Sequence, residues 1–386
     1  MHNMFMDKIY YLDNAATTKI FPEEIEIIKQ CSENFYNPSA AYKPAVQVRK
    51  MYENARGEIN SLLKGMDGRL VFTSSATESN NTVFEGLHLK AGNIVLISAA
   101  EHPAVFNAAH RLERRGVIVK NIPLDESGKV DFNEFEKLMT KEVALVSVMH
   151  VSNDVGAIND IKRLCEFAKS VNKNVIFHSD GVQAFGKIKV NLHDLGVDLY
   201  TISAHKIYAP RGIAALWIKN GVVIDPLLVG GGQEDSFRSS TENVAGALAF
   251  AFASKKVVQE LKNNFEKVEN LRNKLLNLLL NSQISTFLNI NSIDNSSPYI
   301  LSLSLKDIKG EVLMNALASE GILISTGSAC SSKHVGNRTL EAMKKPLNEV
   351  IGSIRISFSP YEEYDIEYIA NRIIENVLRF EKNVKG

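Results

Sequence analysis

From about residue 70 the chain repeats one unit: a short, almost wholly apolar run, a break, then a segment with helical spacing. Residues 69–73, 93–98, 117–119, 143–149, 174–178, 199–203 and 213–218 read as strands. The segments after the first four favour helices, and Ile161, Leu164, Cys165 and Ala168 show the i, i+3, i+4, i+7 spacing of one helical face. Pro103 opens another helix, at a position where its missing N–H costs nothing. Strands without polar alternation are buried on both faces, so the pattern implies a mostly parallel sheet covered by helices on both sides. Ligands of such sheets bind at the carboxyl ends of the strands, which makes the residues just past each strand the candidates for chemistry.

A continuous helical stretch is expected over residues 244–280, linking two domains. Residues 283–298, rich in Asn and Ser, read as loop with one short strand. Strands at 299–305, 322–325 and 353–358, a helix at 310–320 and a closing helix from about Tyr364 suggest a smaller α+β domain. The expected division is a large domain over 15–260 and a small one built from 1–14 and 261–386.

The chain's 386 residues carry 44 basic and 44 acidic side chains, and this balance argues against binding nucleic acid through a broad basic face. Cys31, Cys165 and Cys330 are too few and too scattered for a disulfide framework or a metal cluster, and no metal site is expected. They read as reduced thiols of a cytoplasmic protein. No signal peptide and no membrane-length apolar run is visible.

Asp180 and Lys206 each follow a strand. A lysine beside a carboxylate on a neighbouring strand end is what pyridoxal phosphate chemistry needs: the amine forms a Schiff base and the carboxylate keeps the pyridine nitrogen protonated. Taken alone, the pair more readily describes a buried salt bridge or two solvated loop charges. Ala76 and Thr77 start a helix, where N–H groups and the dipole favour a phosphate, and Ser203 and His205 flank the lysine. His102 lies just past another strand end, where its ring could stack on a pyridine.

Read in order, the motifs resemble one family. They are Tyr11-Leu12-Asp13-Asn14-Ala15-Ala16-Thr17-Thr18, Ala76-Thr77-Glu78-Ser79-Asn80-Asn81, Ser203-Ala204-His205-Lys206, Gly230-Gly231-Gly232-Gln233-Glu234, Thr241-Glu242-Asn243-Val244, Gly327-Ser328-Ala329-Cys330 and Ser353-Ile354-Arg355-Ile356-Ser357. The series is similar to that of the cysteine desulfurases, pyridoxal-phosphate enzymes of the class V aminotransferase family with fold type I.

The resemblance implies Lys206 as the Schiff-base lysine, Asp180 as the pyridinium partner, Gln183 on the ring's phenolic oxygen and His102 stacked on the ring. Ala76, Thr77, Ser203 and His205 would bind the phosphate, with Thr241 reaching in from the second subunit of a homodimer. Asn153 and Arg355 would hold the substrate carboxylate, Asn14 would also meet the substrate and Asn153 also the cofactor, and Cys330 would accept the sulfur of L-cysteine as a persulfide while L-alanine leaves. The small, polar run from Thr326 to Ser332 suits a loop carrying sulfur out to an acceptor protein, whether an iron–sulfur scaffold or a tRNA-thiolation enzyme. A selenocysteine lyase, a class V transaminase and a catalytically silent sulfur-transfer scaffold are the alternatives.

Several positions depart from the family pattern. Ser152 and Asp154 stand in the usual His-x-Asn-Asn-Glu, Gly181 follows Asp180 where Ala is usual, and Ala209 and Ser240 replace glycines. None removes a group the chemistry requires.

Overall fold

The computed structural model describes residues 8–292, 295–327 and 337–385. In chain order the strands are β1 (Tyr10–Tyr11), β2 (Gly68–Thr73), β3 (Ile94–Ser98), β4 (Ile118–Ile122), β5 (Val143–Ser147), β6 (Ile176–Asp180), β7 (Leu199–Ser203), β8 (Ala214–Lys219), β9 (Leu288–Ile290), β10 (Ile300–Leu305), β11 (Ile322–Leu323) and β12 (Ser353–Ser357). The central sheet has the order β2-β8-β7-β6-β5-β3-β4. Its neighbours from β4 to β7 run parallel, and β8 inserts antiparallel between β7 and β2. The expected mostly parallel α/β sheet is what forms.

Alternate side chains of each strand feed separate cores on the two faces. Leu70, Phe72, Leu96, Val146, Tyr200 and Trp217 pack on one side. Val71, Val95, Ile97, Leu145, Leu199 and Leu216 pack on the other. The period-two projection of a pleated strand, with both faces covered, is why these runs lack polar alternation.

A further core joins Tyr10 and Leu12 to Val268, Leu275, Leu301, Leu303, Ile354, Ile356 and Ile373. Its frame is an antiparallel sheet of order β12-β10-β9, and β1 pairs parallel with β11. The sequence at 10–12 therefore packs with residues more than 250 positions away.

Some boundaries differ from the sequence reading. The expected continuous helix is two, Val244–Gln259 and Leu261–Leu280, interrupted where Glu260 leaves helical geometry at ψ 4°. β6 runs two residues further than expected because Ser179 and Asp180 still pair with Tyr200 and Thr201. β4 shifts to 118–122, its polar Lys120 and Asn121 tolerated because it is the sheet's edge. β11 ends at Leu323, and the last helix begins at Ile366. Among the described residues no helix is long and apolar enough to cross a membrane.

One buried cluster holds a strained turn. Glu234, Asp235 and Ser236 all have positive φ, at 51°, 49° and 69°, a region that side chains other than glycine rarely enter. Glu234 is buried and takes hydrogen bonds from Tyr52 Oη (2.5 Å), Arg56 Nη2 (2.9 Å) and the Phe72 N–H (2.9 Å), and Arg56 Nη1 donates to its second oxygen (2.5 Å). Glu234→Ala leaves the Arg56 guanidinium buried without its main counter-charge and should cost ~3–5 kcal/mol in urea unfolding. A loss below about 1 kcal/mol would show that the turn is held by other contacts.

Candidate active site

Because β6 and β7 are sheet neighbours, residues 26 apart in sequence meet at their carboxyl ends. Asp180 is the last residue of β6, and Lys206 closes the single helical turn Ala204–Lys206 after β7. Asp180 is buried, with Oδ2 accepting from Asn80 Nδ2 (2.8 Å) and Oδ1 from the Val182 N–H (3.0 Å). Lys206 Nζ donates to the Ala15 (2.7 Å) and Ala16 (2.6 Å) carbonyls.

A cavity of about 350 Å³ opens here, and Ala76, Thr77, His102, Asn153, Asp180, Gln183, His205, Lys206 and Arg355 all line it. The helix Ala76–Gly86 points its N-terminus in, capped by Ser75, whose Oγ accepts the Glu78 N–H (3.2 Å). Glu78, an acidic residue that would oppose an anion there, is matched by Arg238 (2.8 Å).

The histidines are tuned by burial. His205 is pushed down to about 4, first by burial and then by the Lys206, Arg211 and Lys187 cations, and its Nδ1 lies 3.2 Å from Thr17 Oγ1. His102 is lowered by burial, an effect opposed by the Asp180 carboxylate, and its Nδ1 accepts the Ala104 N–H (3.1 Å), which fixes the ring. Beside it Glu101 is buried and its carboxyl is raised well above the ordinary range, by burial and then by Asp180.

Arg355 alternates with Ile354 and Ile356, which face the core, so its side chain turns into the cavity. It is buried, donating from Nη2 to Asp13 (2.9 Å) and from Nη1 to the Asn153 carbonyl (2.9 Å), while its Nε has no acceptor among the described residues. A desolvated guanidinium with donor capacity left suits a carboxylate ligand.

Other sequence-predicted residues stand apart. Ser203 is buried at the end of β7 and is not part of the cavity lining. Thr241 is exposed in a separate depression beside Tyr52, Thr73 and Glu234. Asn14 is buried, and its Nδ2 donates to the Tyr11 and Ser357 carbonyls and to Tyr364 Oη, so it ties chain segments together. Cys330 lies outside the described residues. Cys165 is buried against the Gly196 carbonyl with its thiol pushed up to about 12 by burial, and burial also raises Cys31. Neither is poised as a thiolate.

The sequence reading assigned no role to Asn80, Asp13 or Lys187. Asn80 and Asp13 sit inside quoted motifs, but only the fold shows that they hold Asp180 and Arg355.

Two departures from the family pattern have structural partners. Asp154 Oδ2 accepts from Thr339 Oγ1 (2.7 Å), and its other oxygen lies 3.9 Å from Arg355 Nη1. At Gly181 a β-carbon would fall on the ring of Tyr200, a fully buried residue whose Oη bonds His150 Nδ1 (2.8 Å).

The profile of the aminotransferase class-V family matches residues 10–368. The chain belongs to that family. Its relatives include "Cysteine desulfurase IscS" of Dictyoglomus turgidum, 35% identical over 381 residues that cover 96% of each chain. Among solved structures, a "NIFS-LIKE PROTEIN" superposes with a TM-score of 0.88 at 33% identity, covering 96% of this chain and 100% of that one. Another, "SspA in complex with cysteine", gives 0.78 at 27%, covering 92% and 99%. Class V enzymes of the desulfurase type are generally pyridoxal-phosphate-dependent, and the donor set fits that group: an amine, a carboxylate, an aromatic ring and a helix N-terminus around one cavity.

Two predictions follow from this geometry. Gly181→Ala should cost ~1–3 kcal/mol by overpacking. The double variant Gly181→Ala/Tyr200→Val should lose less than the sum of the single losses, as read by denaturant unfolding; strict additivity would mean that the two residues do not share the space. For pH, burial lowers His178 to about 3 and His150 to about 4, and His205 lies at about 4, all from 6.5. The unfolded chain therefore takes protons first, so stability is full above pH ~6.5 and falls on acidification toward pH ~4. Each such histidine adds a slope of ~1.4 kcal/mol per pH unit. Urea midpoints should fall between pH 7 and 5, and less steeply in His178→Asn.

Proposed function

We propose that this chain is a pyridoxal-phosphate-dependent cysteine desulfurase that converts L-cysteine to L-alanine and carries the sulfur as a persulfide on Cys330. The reading rests on one observation: Asp180 ends β6, Lys206 closes the turn just after the adjacent β7, and both share a cavity with a helix N-terminus and the buried Arg355. Asp180, Lys206, His102, Gln183, Ala76, Thr77 and His205 would hold the cofactor. Bound there, it supplies an electron sink for charge developing at the substrate's α-carbon.

The protein's own groups do the rest. The Lys206 amine holds and moves the α-proton, and Asp180, oriented by Asn80 and the Val182 N–H, holds one at the ring nitrogen. His205, neutral at physiological pH, still has one ring N–H to donate to a phosphate. Arg355 orients the substrate carboxylate beside Asn153. The Cys330 thiolate takes the sulfur, and its small polar neighbours suit delivery to an acceptor protein, an iron–sulfur scaffold or a tRNA-thiolation enzyme.

The working unit is a homodimer in which Thr241 completes the partner's phosphate site. The exposed run Leu227, Leu228 and Val229, leading into the glycine motif, supports this reading. The chain divides into 15–260 and 1–14 with 261–386, in keeping with the separate core formed by Tyr10, Leu12 and the C-terminal elements. The neutral charge balance supports an enzyme that reaches RNA only through a protein acceptor, and the three scattered cysteines, read as reduced thiols, support a cytoplasmic one.

The purified protein should show the visible band of the bound cofactor and release alanine from L-cysteine, with a persulfide trapped by alkylation at Cys330. Cys330→Ala should keep the band and lose alanine release by ~100-fold or more, and Lys206→Ala should lose both. Alanine formation undiminished in Cys330→Ala would overturn the persulfide route. Selenocysteine turned over with cysteine inert would assign a lyase instead.

A further inference from the structure

We propose that Lys187 is a positioning residue for this site: its Nζ locks the Gln183 side-chain amide so that Nε2, rather than Oε1, is offered to the cofactor's phenolic oxygen. The proposal rests on the pyridoxal phosphate reading above.

Lys187 lies four residues after Gln183 in the turn that follows β6. Gly186 makes the turn possible with φ of +75°, and a β-carbon there would press on Val257 and Ile207. Lys187 Nζ donates to Gln183 Oε1 at 2.6 Å, and on the other side of the same amide Nε2 donates to the Ala15 carbonyl at 2.9 Å. Turning the amide over would set its NH₂ against the lysine N–H groups and its oxygen against a carbonyl oxygen. Two hydrogen bonds would become two repulsions, so the orientation is fixed. One Nε2 hydrogen is used by Ala15, and the second belongs to whatever occupies the cavity that Gln183 lines. The Ala15 oxygen also accepts from Lys206 Nζ, so an unbroken chain of contacts runs from Lys187 through Gln183 and Ala15 to the reactive amine.

The cost of the arrangement argues for its use. Lys187 is buried, and its hydrogen bond goes to a neutral amide. Burial, with the Lys206 and Arg355 cations nearby, pushes its amine down to about 7. An apolar side chain would fill the same space without desolvating an amine. Either protonation state keeps an N–H for Oε1, and in the neutral form, whose lone pair could accept from a flipped amide, the Ala15 carbonyl still opposes the flip. The Tyr299 ring, 5.9 Å from Nζ, adds a wall from the start of β10.

A donor on a phenolate oxygen stabilises its negative charge and lowers the pH at which the bound chromophore loses its proton. The test is a pH titration of the holoenzyme's visible band together with cofactor affinity by equilibrium dialysis. The other titratable or charged groups facing the cavity, namely Lys206, Asp180, His102, His205, Asp13 and Arg355, are left intact. Lys187→Met should move the midpoint up by about one pH unit and weaken cofactor binding ~10-fold. Gln183→Met should give the same shift, and the double variant no more than either single. If Lys187→Met does not fold, Lys187→Leu must give that shift. An unchanged midpoint, or effects of the two residues that simply add, overturns the proposal while leaving the cofactor reading intact. A wild-type protein that shows no visible band with pyridoxal phosphate overturns both.

Discussion

Between Leu12 and Thr18 the main chain is hydrogen-bonded on both sides, and this strap fixes the site. The Leu12 carbonyl accepts the Ser357 N–H, and the Leu12 N–H bonds Leu323, which ties the strap to β12 and to the end of β11. Six residues on, Thr18 N–H and Oγ1 both donate to the His205 carbonyl, and Oγ1 accepts the Tyr208 N–H. Between these anchors the Ala15 carbonyl meets Lys206 and Gln183, and Asp13 meets Arg355. One short segment thus sets how far the arginine wall stands from the lysine wall.

Charge around the cavity is paired. Lys206 and Arg355 face it with Lys187 close behind, while Asp180, Asp13 and Asp154 answer them. His205, depressed by those cations as well as by burial, adds no further positive charge at neutral pH. Such a balance can accept an anionic ligand without a surplus of buried cations.

Much of this was legible in the chain. Unalternated apolar runs gave the two-sided sheet, and strand-end positions singled out Asp180 and Lys206 before any resemblance was invoked. The same strand-end logic marked His102 and His205, the resemblance then drew in Gln183 and Arg355, and all four share the cavity. What escaped depends on contacts across the fold. Asn80 matters because its helix reaches β6. Lys187 in isolation reads as one more surface lysine after a glycine. Gly181 looks like a lost methyl group until Tyr200 from the next strand is seen beneath it. The break at Glu260 was invisible because the apolar spacing continues through it.

The anchor of Lys206 has a consequence for how variation can reach the site. Its amine is held by two backbone oxygens, those of Ala15 and Ala16, and no side-chain replacement at those positions removes a carbonyl. Point substitutions in the strap thus leave the lysine's tether chemically whole. Inserting or deleting a single residue between Leu12 and Thr18 would slide both oxygens out of register with β7. In that stretch the chain tolerates changes of identity far better than changes of length.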